Sequence, residues 1–238
     1  MNRKYPEIKP VGDCSVLIEY EEEVSPEVNL KVRTLAYRIE KHSFHGIIEV
    51  VPAYRSLMIF FDPFKTDFKK ISDFVNYLTE ESVKIEMTQP RLFKIPTVYG
   101  GLYGPDLERV SEHTKLSPDE VVHLFASRPY LVYFLGFLCS LAYLGGIPKI
   151  LEIPRLTSPR PYVPAGSVGF AGKQANIVPV DEPSGFNYIG RTFVKVYYPK
   201  KFPPTLFRPG DYIQCPSVSE EEAKWAGEKD LGDFIESI

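Results

Sequence analysis

Cysteine is scarce in this 238-residue chain: Cys14, Cys139 and Cys215 are odd in number, far apart and without C-x-x-C spacing. That pattern argues against a disulfide framework and a cysteine-based zinc cluster, and a reducing, cytoplasmic environment is the expectation. Long apolar runs are missing too. The longest, Tyr130 to Leu144, holds about fifteen residues against the roughly twenty that cross a bilayer, so it is expected to be a buried strand and turn. The opening MNRKYPEIKP lacks the apolar core of a signal peptide. No block of one charge sign occurs: 28 basic and 31 acidic residues are interspersed, for a net charge of −3. Without a basic run to neutralise a phosphate backbone, nucleic acid is excluded as an expected partner. Internal repeats and low-complexity tracts are absent as well.

Proline and aromatic residues are plentiful. Twenty-two prolines and 13% aromatic side chains favour strands and shaped loops over long helices, because proline interrupts helix interiors and aromatics suit pleated surfaces. With 44% hydrophobic residues the chain can bury a core for one large or two small domains of α+β or mainly β type.

The first ninety residues spell out βαββαβ. Strands are expected at Ser15 to Tyr20, Ile47 to Val51, Leu57 to Phe61 and Val83 to Met87. Ser25-Pro26 supplies an N-cap and a first-turn proline for a helix with Val28, Val32, Leu35 and Ile39 on one face. A second helix, about Asp67 to Thr79, repeats Phe68, Ile71, Val75 and Leu78 at three and four residues. This order describes a ferredoxin-like sandwich over residues 1–90, with the boundary at Thr88-Gln89-Pro90.

Residues 91–238 change character. One clear helix is announced by the capping box Ser117-Pro118-Asp119-Glu120. Short β-prone runs occupy Leu92 to Val98, Leu131 to Leu138, Asn176 to Val180, Phe186 to Arg191, Val194 to Tyr198 and Tyr212 to Cys215, the spacing of a closed or nearly closed barrel. Ser219-Glu-Glu-Glu222 opens a short C-terminal helix carrying Trp225. Beyond it, Leu231, Phe234 and Ile235 lie either on their own domain or on a partner.

Several familiar catalytic motifs fail. Ala165-Gly-Ser167-Val-Gly169 misses the first glycine of a nucleophile elbow, and a proline precedes it where a strand should enter. Gly172-Lys173 is followed by Gln174 where a P-loop needs Ser or Thr. His42-x-x-His45 has no third ligand nearby, so no metal site is expected. What remains is polar residues in proline- and glycine-shaped segments. Between Pro154 and Thr192, in an order that no simple helix or strand pattern produces, Arg155, Arg160 and Arg191 offer planar forks for carboxylate or phosphate. Their alternative role is to brace loops through carbonyls. Gly166, Gly169 and Gly172 recur at intervals of three, and backbone N–H groups from Gly166 to Gly169 would form an anion nest, with Ser167 adding a hydrogen bond. In YGGLYGPDL, Tyr99, Tyr103 and Asp106 are candidates to face one cleft, Asp106 being equally suited to a turn or helix cap.

These segments also carry a resemblance. With Gly136-Phe-Leu-Cys-Ser-Leu-Ala-Tyr-Leu-Gly-Gly146, Gly12-Asp13 and Val50-Val-Pro-Ala-Tyr-Arg-Ser-Leu57, nearly the whole chain resembles the family that includes the B subunit of ATP-dependent 5-oxoprolinase, the kinase inhibitor KipI and allophanate hydrolase subunit 1. The resemblance implies a cyclophilin-like barrel in the second domain. It also implies work with a separate C-like subunit, and an A-like subunit, to activate a lactam with ATP and Mg²⁺ at a shared site. A KipI-like regulator that docks on a sensor kinase is the alternative, as is an allophanate-hydrolase-like role. Three motif positions depart from the family: Leu-His becomes Leu124-Phe125, the Pro-Gly of G-F-L-P-G becomes Cys139-Ser140, and P-G-G-W becomes Pro183-Ser-Gly-Phe186. Phe125 thus stands where the family offers a potential acid or base.

Overall fold

The computed structural model describes residues 5–80, 89–138 and 140–237, and the chain divides into two compact units, Met1–Gln89 and Pro90–Ile238. In the N-terminal unit, β1 (Glu7–Val11) and β2 (Ser15–Glu19) form a hairpin, followed by α1 (Pro26–His42), β3 (Ile47–Pro52), β4 (Ser56–Phe61) and α2 (Phe68–Glu80). The four strands make one antiparallel sheet in the order β1-β2-β4-β3. Ser25 caps α1 by accepting from the Val28 N–H, and Asp67 caps α2 by accepting from the Lys70 N–H. The expected helix faces are buried with one exception: Val28, Val32, Leu35 and Ile39 of α1 and Ile71, Val75 and Leu78 of α2 share a core with Val16, Ile18, Leu57 and Ile59, whereas Phe68, at the first position of α2, is exposed. The expected strand Val83 to Met87 lies outside the described residues. β1, not expected from sequence, takes the place beside β2. Its half-exposed to exposed residues and its proline suit an edge strand and leave no apolar alternation to read.

The C-terminal unit begins with β5 (Arg91–Lys94) and β6 (Val98–Tyr99), then α3 (Leu107–Thr114) and α4 (Pro118–Ala126). A hairpin follows, β7 (Tyr130–Gly136) and β8 (Leu141–Gly145), then β9 (Arg160–Val163), β10 (Ser167–Ala171), β11 (Gln174–Ile177), β12 (Glu182–Ser184), β13 (Asn187–Arg191) and β14 (Tyr212–Gln214). The chain closes with α5 (Glu220–Ala226) and β15 (Ile235–Ser237). Nine strands form one sheet in the order β15-β5-β14-β7-β8-β11-β10-β13-β6, while β9 and β12 pair separately. β5 pairs with β14 and, four residues on, β6 pairs with β13. The single segment 91–99 therefore touches both ends of the sheet, which curls around a core containing Phe93, Phe125, Tyr130, Phe170 and Ile213. The mixed α+β architecture with a curled sheet agrees with the cyclophilin-like expectation.

Three expectations need correction. Residues 154–192, where strands were expected only at Asn176 to Val180 and Phe186 to Arg191, build all of β9 to β13. β11 and β13 fall on those two runs, while β9, β10 and β12 are additional, and all five residues of β10 are buried, so no alternation marks it. Val194 to Tyr198 is not a strand: Val194 and Val196 enter the core, but the N–H of Val194 bonds Thr192 Oγ1 and that of Tyr198 bonds the Pro204 carbonyl. Leu92 to Val98 splits in two at Pro96, which has no N–H for a ladder. α3 is a further helix that the sequence left as turn or cap. The residues after α5 pack on their own unit, with Leu231 buried and β15 paired to β5.

Candidate functional site

β9, β10, β13 and the loop before α3 converge on a small cleft of about 100 Å³ lined by Tyr103, Arg160, Tyr162, Ser167, Tyr188 and Arg191. Four of the residues selected from sequence meet here. Gly104 allows the loop its approach, since a Cβ would fall 1.9 Å from the Ile189 carbonyl oxygen. Gly166, at φ +82, turns the chain into β10 where a Cβ would strike the Thr192 carbonyl oxygen at 2.1 Å.

Their partners decide what they can do. Arg160 grips Asp106 in a two-pronged ion pair, Nη1 donating to Oδ2 at 2.8 Å and Nη2 to Oδ1. Asp106, only 3% exposed, also accepts the Tyr188 N–H at 2.7 Å. The carboxylate thus locks β9, β13 and the start of α3 together, and the charge of Arg160 is already matched. Arg191 is different. Its Nε donates to the Ala165 carbonyl at 3.0 Å and its guanidinium lies over the Phe193 ring, but it has no acidic partner among the described residues. Its two outer nitrogens leave a cationic fork for an anion.

The expected nest is committed elsewhere: Gly166 donates to the Val178 carbonyl and Ser167 to that of Pro164, while the Ser167 hydroxyl donates to Pro164 as well. Tyr103 reaches the cleft and donates its hydroxyl to Glu220, which holds the phenol proton more tightly than usual. Tyr99 does not belong to the cleft. Its ring packs on the barrel core and its hydroxyl donates to the Cys215 carbonyl at 2.6 Å, with burial raising its pKa well above the ordinary value. Phe125 is likewise core: fully buried, it stacks on Tyr130 and Phe170 with centroids 4.9 and 5.4 Å away. It carries packing where a polar group was in question.

Arg155 lies apart from this cleft, on a second and larger one of about 390 Å³ between β8, β11, β12 and the loop before β9. Its guanidinium sits 5.1 Å from the Phe186 ring centre, so Phe186, the departure from the family's tryptophan, keeps an aromatic face for it. Tyr143, Asn176, Glu182 and Ser184 share the lining. Glu182 and Asn176 are each 4% exposed, and Glu182 Oε2 and Asn176 Oδ1 have no hydrogen-bond partner among the described residues. Burial pushes the Glu182 carboxyl above the usual range. Neither residue has a sequence signal of its own, because D-E-P-S reads as an exposed turn; the nearby change at Pro183-Ser-Gly-Phe186 is the only pointer. Next in sequence to Leu141 of the lining, Ser140 takes φ +63, the left-handed region where the family's glycine would sit without strain. Cys139 lies outside the described residues.

No group of three His, Cys, Asp or Glu that would hold a metal ion occurs among the described residues, and none of their helices is long and apolar enough to cross a membrane. The family described as carboxyltransferase domain, subdomain C and D, matches residues 6–207. The 5-oxoprolinase B subunit of Bacillus subtilis (strain 168) is 37% identical over 226 residues, covering 91% of this chain and 94% of that protein. A conserved uncharacterized protein of Pyrococcus horikoshii of known structure is 40% identical, with a TM-score of 0.54 over 91% of this chain and 99% of that one. The structure of TTHA0988 aligns with a TM-score of 0.76 at 30% identity; it covers 87% of this chain, which spans 40% of TTHA0988.

Proposed function

Because the chain belongs to the carboxyltransferase subdomain C and D family, alongside the 5-oxoprolinase B subunits, we propose that it is the B subunit of an ATP-dependent lactam hydrolase acting on 5-oxoproline. The observation that carries this reading is the 37% identity to the Bacillus subtilis protein across nearly the full length of both chains. A C-like subunit completes the site, and an A-like subunit joins it for hydrolysis to glutamate. A cytoplasmic location fits the use of ATP. The N-terminal unit is read as ferredoxin-like, which the succession of α1, β3, β4 and α2 beside β2 supports, with the domain boundary near residue 90.

An amide carbonyl resists water, and ATP supplies the phosphoryl group that turns its oxygen into a leaving group. The cleft's contribution is electrostatic. Arg191, unmatched by an acidic residue among those described, faces an anionic group, while the Asp106–Arg160 pair fixes the walls that hold it in position. The described residues offer a cation for phosphate but no three-ligand set for Mg²⁺, so the metal is assigned with the nucleotide to the site shared with the C-like subunit.

The test is ATP-dependent glutamate release from 5-oxoproline by this chain purified with its C-like and A-like partners, each omitted in turn. Activity that vanishes without this chain is the expected result. Full activity in its absence, or a stable complete complex with no turnover of 5-oxoproline, would sink the assignment.

A further inference from the structure

The cleft beside Arg155 holds two buried acceptors that no group among the described residues satisfies. Leaving a polar group buried without a partner is costly, and a carboxyl more so than an amide. Glu182 Oε2 and Asn176 Oδ1 are both in that condition on one cavity of about 390 Å³, ample for a small organic molecule. They are brought together from β12 and β11. The surrounding polar groups are engaged with one another: the Tyr188 hydroxyl, its pKa pushed up to about 12 by burial, donates to Ser184 Oγ at 2.8 Å and also has Asn176 beside it. Glu182 Oε2 and Asn176 Oδ1 remain as acceptors without a donor, which calls for a ligand bearing N–H groups.

The same cavity carries a cation. Arg155 lies over Phe186, with no carboxylate partner among the described residues, and both Arg155 and Glu182 act electrostatically on the Tyr143 phenol. Leu141, Phe137 and the ring of Tyr143 give the cleft an apolar wall. A ligand that satisfies all of these groups has an N–H next to a carboxylate on a short hydrocarbon frame.

We propose that this cleft is a binding site for a small amino acid or its cyclic lactam, with the ligand nitrogen donating to Glu182 and Asn176 and its carboxylate pairing with Arg155. The placement rests on the geometry. The choice of 5-oxoproline and glutamate as the two members of the class to test rests on the proposed function. Glu182 Oε2, buried without a partner among the described residues, is thus kept for the ligand.

Isothermal titration of the full-length chain with 5-oxoproline and with glutamate tests this. Wild-type protein is expected to bind at least one of them, and Glu182→Ala and Arg155→Ala to weaken that binding by about tenfold or more, the scale of losing a hydrogen bond to a charged group. Glu182→Gln keeps an acceptor: it spares a ligand that offers a neutral lactam N–H and weakens one that offers an ammonium, so it tells 5-oxoproline from glutamate. Thermal unfolding of Glu182→Gln separates a ligand site from a structural role. A binding residue without internal partners gives an unfolding temperature equal to or above wild type, and a clear fall would place Glu182 in the scaffold and overturn the proposal. Absence of binding to both ligands, or unchanged binding by Glu182→Ala, would also overturn it. Should binding fail while the reconstituted complex still releases glutamate, the cleft is wrong and the proposed function stands. Binding without turnover would leave the cleft standing and remove the proposed function.

Discussion

Replacing Asp106 by alanine is expected to destabilise the C-terminal unit by about 2–4 kcal/mol. The carboxylate accepts both prongs of Arg160 and the Tyr188 N–H, and is almost wholly buried. Breaking a buried ion pair by removing one partner costs about 3–5 kcal/mol, because the other charge is left uncompensated. Here the stranded guanidinium side chain is 33% exposed and regains some water, which lowers the figure, while the orphaned Tyr188 N–H adds about 1–3 kcal/mol to what remains. Arg160→Ala should cost less, since Asp106 then keeps one N–H donor. The double variant should fall short of the sum by about 1–3 kcal/mol, the coupling of two groups in contact. Urea titration followed by Trp225 fluorescence reads this out, because the sole tryptophan lies in the C-terminal unit. Three variants each within about 0.5 kcal/mol of wild type, or simple additivity, would refute the clamp and return Arg160 to the role of a free anion binder.

Arg191→Ala should leave urea stability within about 1.5 kcal/mol of wild type, as one hydrogen bond to Ala165 is lost, yet lower turnover of the reconstituted complex at least about tenfold. Phe125→His should lower stability by about 2–4 kcal/mol and raise no activity, since the imidazole would enter an aromatic stack without a polar partner; a gain in turnover would contradict this. Cys215, buried and pushed up to about 12, should resist alkylation at pH 8 until the chain unfolds, whereas exposed Cys14 should label at once, as peptide mass mapping would show. Glu182 has a folded pKa above its unfolded one, so the native state binds its proton more tightly. Its contribution is most favourable at low pH and is lost as pH rises from the ordinary carboxylate value through the raised folded one. The stability of Glu182→Gln relative to wild type should therefore increase across that window, and a constant difference would rule out the shift.

The sequence exposed most where local physics dominates. Ser25-Pro26, Ser117-Pro118 and Ser219 each mark a helix start that the structure contains, because capping is settled within four residues. Of the residues selected for their type and their proline- and glycine-shaped surroundings, Tyr103, Arg160, Ser167 and Arg191 line one cleft, while Tyr99 and Arg155 lie elsewhere. What stayed hidden depends on distant partners. Asp106 and Arg160 are 54 residues apart, and only the pairing of strands reveals that one neutralises the other. Within residues 154–192, β9 and β12 were masked by the prolines they contain, and β10 by burial of all five of its residues, which removes the period of two. Glu182 was the least visible, since a buried acidic side chain and an exposed one are written with the same letter.

The segment 91–99 bears on how the molecule comes into being. Arg91 and Asp211 are ion-paired across 120 residues, and β5 runs parallel to β14 beside them. Among the described residues, the strand pairs of the N-terminal unit, by contrast, lie between Glu7 and Phe61. Pairings that distant require a large loop to close before they are rewarded, which slows the reaction. During synthesis the first unit can therefore form while the second waits for residues near 214 to leave the ribosome, its opening strand left for that interval without the neighbour that later covers it.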